Sequence, residues 1–232
     1  MDLRTLKPNG EPWDFSRAAD RALAMKMVRE KRPQWIIAAP PCTPFSVLNF
    51  NMNYPRMTAE EVQAKLEEGR VHLQFVCRLY RYQVKHGGYF LHEHPRTARS
   101  WREPCVQRLL KRSDVHVAKC DQCEFGAENT VGLQWSDSAG EGARLLKPTR
   151  FMSNSPQMLQ RLFRTCKRDH VHQPLLGGRA ASASFYPFDL IKAILHGVSD
   201  TEHISSSIPE MAKTNTMFHL VCPCKLLMTT VL

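Results

Sequence analysis

A short apolar run closed off by prolines is the feature that most limits how this chain can fold. Trp35-Ile36-Ile37-Ala38-Ala39 lies between Pro33 and Pro40. Apolar residues without polar alternation suit a strand buried on both faces, as in a parallel sheet. Thr58 with Glu61 three residues on is a capping-box pattern, opening a helix predicted from Ala59 to about His86. Val62, Leu66, Leu73, Val76 and Leu79 are among its apolar positions, and Gly87-Gly88 stops it. Tyr89-Phe90-Leu91 is then a second short strand. Strands alternating with helices predict a parallel α/β sheet.

The rest of the chain extends this alternation. Ser16 caps a helix predicted over 17–31, and the proline-rich stretch 40–56 reads as a loop. Ser100, with Glu103, starts a helix to about Arg112, and Val115–Ala118 is a third strand. A surface loop is expected over 121–142, and a strand over 145–153. Ser155-Pro156 opens a helix to about Cys166, and Pro187 begins one closed by Gly197. The pattern dissolves after Asp200, so 1–200 reads as one domain and 201–232 as a weakly patterned tail. In parallel sheets the reactive groups sit just past the carboxyl ends of the strands. Pro40-Pro41-Cys42 follows the first strand and His92-Glu93-His94-Pro95 the second, so both fall on one edge.

Thirty-two Lys and Arg against 22 Asp and Glu leave a net charge of +10, which favours a polyanionic partner, nucleic acid first. There is no run of eighteen apolar residues and no basic-then-apolar leader, so an intracellular protein without a membrane span is expected. Eight cysteines in that setting suggest reduced thiols, metal ligands or a catalytic thiolate rather than disulfides.

A cysteine on a proline-held loop beside a glutamate on the next strand's loop suits one particular chemistry. Carbon 5 of cytosine becomes nucleophilic only when a thiolate adds at C6 and a carboxylic group hydrogen-bonds N3. The base must also leave the stack. Pro40-Pro41-Cys42-Thr43-Pro44-Phe45-Ser46 resembles the P-P-C-Q-P-F-S nucleophile motif of the DNA (cytosine-5) methyltransferases, with Thr43 in place of glutamine. Phe90-Leu91-His92-Glu93-His94-Pro95 resembles the family's E-N-V segment, with His94 and Pro95 replacing Asn and Val.

The resemblance spans about residues 13–197 and implies a Rossmann-like methyltransferase fold, with Cys42 and Glu93 catalytic, S-adenosylmethionine as cofactor and DNA as partner. It implies cofactor contacts at Asp14 and Pro40, and nucleic-acid contacts at Ser46, Arg96, Arg144 and Arg150. Ala183-Ser184-Phe185-Tyr186-Pro187 resembles the closing motif that packs back on the cofactor site. The family's F-x-G-x-G loop has no counterpart, so the fold is expected to be truncated at its N-terminus or the cofactor site incomplete. The competing reading is a non-catalytic, basic nucleic-acid-binding module of a mobile element. For Cys42 the plainer alternative is a small packing residue, and for Glu93 a surface carboxylate paired with His92 or Arg96.

A second cluster lies within a Cys/His-rich subregion, about residues 120–175. Cys120-x-x-Cys123 precedes Cys166-x-x-x-His170-x-His172, and together they are candidate zinc ligands in a small insertion. Arg96, Arg99 and Arg102, with Trp101 among them, are placed to meet phosphates and stack a base.

Overall fold

The structure, a computed structural model, describes residues 6–127, 143–173, 186–206, 216–217 and 226–231, with backbone alone for 204–206 and the last two stretches. Thr58 does cap the long helix α2 (Ala59–Lys85). Its Oγ1 accepts from the Glu61 amide at 3.2 Å, and the Glu61 carboxylate accepts from the Thr58 amide at 2.8 Å. On either side of α2 run β1 (Trp35–Ala38) and β2 (Tyr89–Pro95), paired in parallel from Trp35↔Tyr89 to Ala38↔His92. Helix α1 (Ala18–Lys31) precedes β1.

After β2 a 3₁₀ turn (Arg99–Arg102) leads into α3 (Pro104–Leu110), in place of one predicted helix. Pro104 has no amide to donate, so the α-helix starts at it afresh. Strand β3 (His116–Asp121) follows. The predicted 145–153 strand is two pieces, β4 (Arg144–Leu145) and β5 (Pro148–Ser153), and β4 pairs with β6 (His172–Gln173) outside the main sheet. Helix α4 (Pro156–Leu162) follows β5.

The main sheet has the order β3-β5-β2-β1, continued past β1 by β8 (Leu226–Val231) and β7 (Thr216–Met217). It is mixed, not parallel. β5 lies antiparallel between β2 and β3, and β8 is antiparallel to β1. Among the described strands of this sheet only β1 and β2 pair in parallel, although β3 points the same way as they do. The expected parallel sheet fails because the chain leaves β3 at the carboxyl edge and β4 lies at that same edge, its Leu145 amide donating to the Ala127 carbonyl at 2.8 Å. Re-entering from that edge, β5 can only run backwards. The tail expected to lack pattern supplies β7 and β8, which occupy the edge β1 would otherwise expose.

Both faces of the sheet are covered. Ile36, Ala38, Phe90 and Met152 pack with Val28, Leu73, Val76, Leu79 and Leu109 from α1, α2 and α3. Trp35, Ile37, Leu91, Ala118 and Phe151 pack on the other face with α4 and α5 (Phe188–Ser206). Helix α5 runs nine residues past its predicted end at Gly197. A Cβ there would meet the Met158 sulfur at 2.7 Å, so this glycine is where α5 crosses α4 rather than where it stops.

A second close approach bears on the proline loop. A Cβ on Gly69 of α2 would lie 2.9 Å from Pro44 and Phe45, the residues that seat the loop on the helix. Gly69→Ala gains about 1 kcal/mol of helix propensity but overpacks a rigid proline at a cost of about 1–3 kcal/mol. A net loss is expected in urea unfolding. A gain in stability would show that the loop is not pressed onto α2.

Candidate active site and metal cluster

Cys42 opens the turn that follows β1. Its carbonyl accepts from the Phe45 amide at 3.0 Å, starting a 3₁₀ turn (Thr43–Phe45), and its side chain is half-buried. Phe45 is buried, and the Tyr54 hydroxyl donates to the Pro44 carbonyl at 2.7 Å. The loop is therefore anchored from both α2 and the segment after it.

The strongest tie comes from β2. His94 is fully buried, and its Nε2 stands 2.9 Å from the Pro40 carbonyl, two residues before Cys42. A carbonyl only accepts, so Nε2 carries the proton, and Nδ1 accepts from the Ser100 hydroxyl. This contact lies one pairing step past Ala39 and Glu93 in the β1–β2 register. Burial holds His94 down to about 4, so the ring is neutral.

His92 lies beside it on the same face of β2, with Nδ1 3.1 Å from the Tyr80 hydroxyl, which also reaches the Ala38 carbonyl at 3.3 Å. Burial, then its neighbour His94, holds His92 well below the ordinary imidazole range. Strand period puts Glu93 on the opposite face from these histidines. There Glu93 is buried. Desolvation raises its carboxyl, against the lowering effect of the Lys147 charge and of a hydrogen bond from Tyr186. Lys147 also stands 5.5 Å over the Tyr186 ring. Glu93 is thus no surface carboxylate, and Arg96 pairs with Asp121 at 3.0 Å instead.

The Asp14 carboxylate accepts from the Ser16 amide at 2.9 Å and from its hydroxyl at 2.6 Å, closing the turn before α1. Ser46 accepts from the Leu48 amide at 3.2 Å. Arg144 donates to the Cys123 carbonyl at 3.3 Å, and Arg150 lies 5.0 Å over the Trp101 ring. Trp101 is buried, and its indole donates to the Pro95 carbonyl at 2.8 Å. It packs against His92 and so is no platform for a base. Its segment turns inward because that hydrogen bond draws the indole back over β2.

Cysteine and histidine do converge beyond β3, with one correction to the expected set. Cys123, Cys166, His170 and His172 have ligand atoms all within 4.8 Å of one another, close enough to hold a metal ion. Cys120 is excluded. It sits in β3, fully buried in the core with α4 and α5, where burial first and then Glu93 raise its thiol. Cys123 comes after the strand, in a 3₁₀ turn (Gln122–Phe125). A C-x-x-C pair chelates only when both thiols face one centre, and here Cys120 faces the core instead. Burial, then Cys166, pushes the Cys123 thiol up to about 12.

Sequence reasoning missed His94, Tyr80 and Lys147. The signal for the first was present: two histidines flanking a glutamate in a strand must share the face opposite it. Of the closing motif, Tyr186 and Pro187 are described, and residues 183–185 lie outside the described residues, as does 128–142 of the expected surface loop. No helix among the described residues is long and apolar enough to cross a membrane. Comparisons with protein-family models, curated proteins and solved structures return no match.

Proposed function

We propose that this chain is a DNA cytosine-5 methyltransferase-like domain that takes a flipped cytosine between Cys42 and Glu93. The observation that carries the reading is the parallel β1–β2 pair with the His94–Pro40 hydrogen bond, which ties the Cys42 loop to the strand bearing Glu93. The Cys42 thiolate forms a bond to C6, and the C5–C6 π electrons shift so that C5 becomes the nucleophile. Glu93, raised toward its protonated form by burial, supplies the proton at N3. Expulsion of the thiolate reverses the addition.

S-adenosylmethionine would supply a methyl group to C5, and both groups expected to contact it already hold partners within the fold. Asp14 Oδ1 accepts from Ser16, and the Pro40 carbonyl accepts from His94. The reading therefore covers base capture and activation. Zinc is the ion we assign to the Cys123, Cys166, His170 and His172 cluster, since two thiols and two imidazoles are a donor set it favours.

Base capture can be measured without a methyl donor. In the adduct C5 takes a deuteron from solvent, gives up its original hydrogen to solvent as a proton and then expels the thiolate, so a cytosine-containing duplex in deuterated water should exchange its C5 hydrogen. Cys42→Ser should abolish the exchange, and Glu93→Gln should slow it about 10²-fold or more. Salt-sensitive DNA binding that Cys42→Ser leaves intact, with no exchange by the unaltered chain, would replace this reading by the non-catalytic nucleic-acid-binding module.

A further inference from the structure

The four-residue cluster lies at the carboxyl edge of the sheet, where β1, β2 and β3 all end. Cys123 follows β3, Cys166 follows α4, and His172 belongs to β6. Its distances match a coordination sphere better than a set of hydrogen bonds. Sulfur at ~2.3 Å and nitrogen at ~2.0–2.1 Å from a tetrahedral ion lie about 3.5 Å apart. Cys166 Sγ is 3.5 Å from His170 Nε2 and 3.4 Å from His172 Nε2, and His172 Nε2 is 3.4 Å from Cys123 Sγ. A ring nitrogen has one proton or one lone pair to offer. Two equal contacts from His172 Nε2 therefore point to a common centre.

The surroundings suit that centre. Asp169 Oδ1 is 2.8 Å from His170 Nδ1, which holds the proton there and leaves Nε2 free to ligate. The Arg168 amide donates to Cys166 Sγ at 3.2 Å, and the Cys166 amide donates to Asp121 at 3.0 Å. Four protein ligands leave no open position, which marks a structural rather than a catalytic ion.

What the ion would hold together is a weak piece of structure. β4 and β6 are two residues each, and a pair that short does not persist alone. Yet Arg144 donates to Val171 at 3.3 Å and Leu146 to Gln173 at 2.9 Å, and Lys147, the cation facing Glu93, follows directly. We propose that a single zinc ion bound by Cys123, Cys166, His170 and His172 is the staple that keeps β4 on β6, and so fixes the segment carrying Lys147. This rests on the zinc assignment and is independent of methyl transfer.

The test uses the full chain, with metal content and amide hydrogen exchange as separate readouts. One equivalent of zinc is expected, lost in Cys123→Ser and retained in Cys120→Ala. Cobalt replacement should give the intense absorption of a tetrahedral site with thiolate ligands. Removing the ion with a chelator should lower protection of the Arg144 and Leu146 amides by about tenfold or more, while Ile37 and Leu91 in β1 and β2 keep theirs. Folded protein without zinc, or loss of zinc in Cys120→Ala, would overturn the zinc assignment and the staple together. Zinc present and removable with no change at Arg144 and Leu146 would overturn the staple alone. Loss of protection throughout the sheet would also overturn it, in favour of an ion needed for the whole fold.

Discussion

His94→Ala is expected to destabilise the protein by about 3–4 kcal/mol and to release the Cys42 loop. The change leaves the Pro40 carbonyl and the Ser100 hydroxyl without their buried partner, at about 1–3 kcal/mol each. It also opens a cavity between β2, Phe45 and Trp101, whose rings lie 6.4 Å from that of His94. Urea unfolding gives the stability loss, and the rate of thiol labelling at Cys42 reports the loop. Labelling should quicken in His94→Ala under conditions where the protein is still folded. An unchanged rate would mean that Gly69 and Tyr54 hold the loop unaided.

The second large effect is acid destabilisation, and its sign follows from the same histidines. His94 titrates at about 4 in the fold against an ordinary 6.5, and His92 is shifted in the same direction. Between these values the unfolded chain binds protons that the folded chain refuses, so stability falls as pH is lowered from about 6.5 toward 4. His94 alone contributes a slope of about 1.4 kcal/mol per pH unit, about 3 kcal/mol across the window. Glu93 works in the opposite sense. Its folded value lies above the ordinary 4.5, so its contribution is greatest at low pH and is lost as pH rises through the folded value. Two histidines against one carboxylate leave net acid destabilisation. Urea midpoints measured from pH 7 to pH 4 should drop steeply, and His94→Asn, which carries no titrating ring, should flatten the drop by about one proton. Equal slopes in the two proteins would show that His94 is not the group responsible.

Much of the framework was legible because it is local chemistry. Thr58 and Glu61 announce the start of α2, Pro33 and Pro40 bound β1, and a long helix between two short apolar runs demands a crossover. That crossover places Cys42 just past β1, whereas Glu93 lies inside β2 rather than on the loop expected after it, because the strand runs on to Pro95. Direction and adjacency were not legible further on. The 148–153 run reads as a strand, but nothing within it says that it will enter between β2 and β3 and run backwards. That depends on which edge the chain occupied beforehand.

The metal cluster divides in the same way. Five cysteines and histidines were visible as candidates, and spacing made Cys120 and Cys123 appear to be a pair. The end of β3 falls between them, and so commits Cys120 to the core and Cys123 to the cluster. The partners of Glu93 were invisible for a related reason, since Lys147 and Tyr186 lie 54 and 93 residues away along the chain. By itself the sequence determined the residue types, the two-sided burial of β1 and the place of Cys42 just past its carboxyl end. Only the tertiary structure decided that His94 clamps the proline loop, that β5 turns the sheet mixed and that Cys120 stays out of the metal cluster. Propensity and spacing act within a turn or two of chain, whereas hydrogen bonds and ligand sets are completed by whatever residues packing brings alongside.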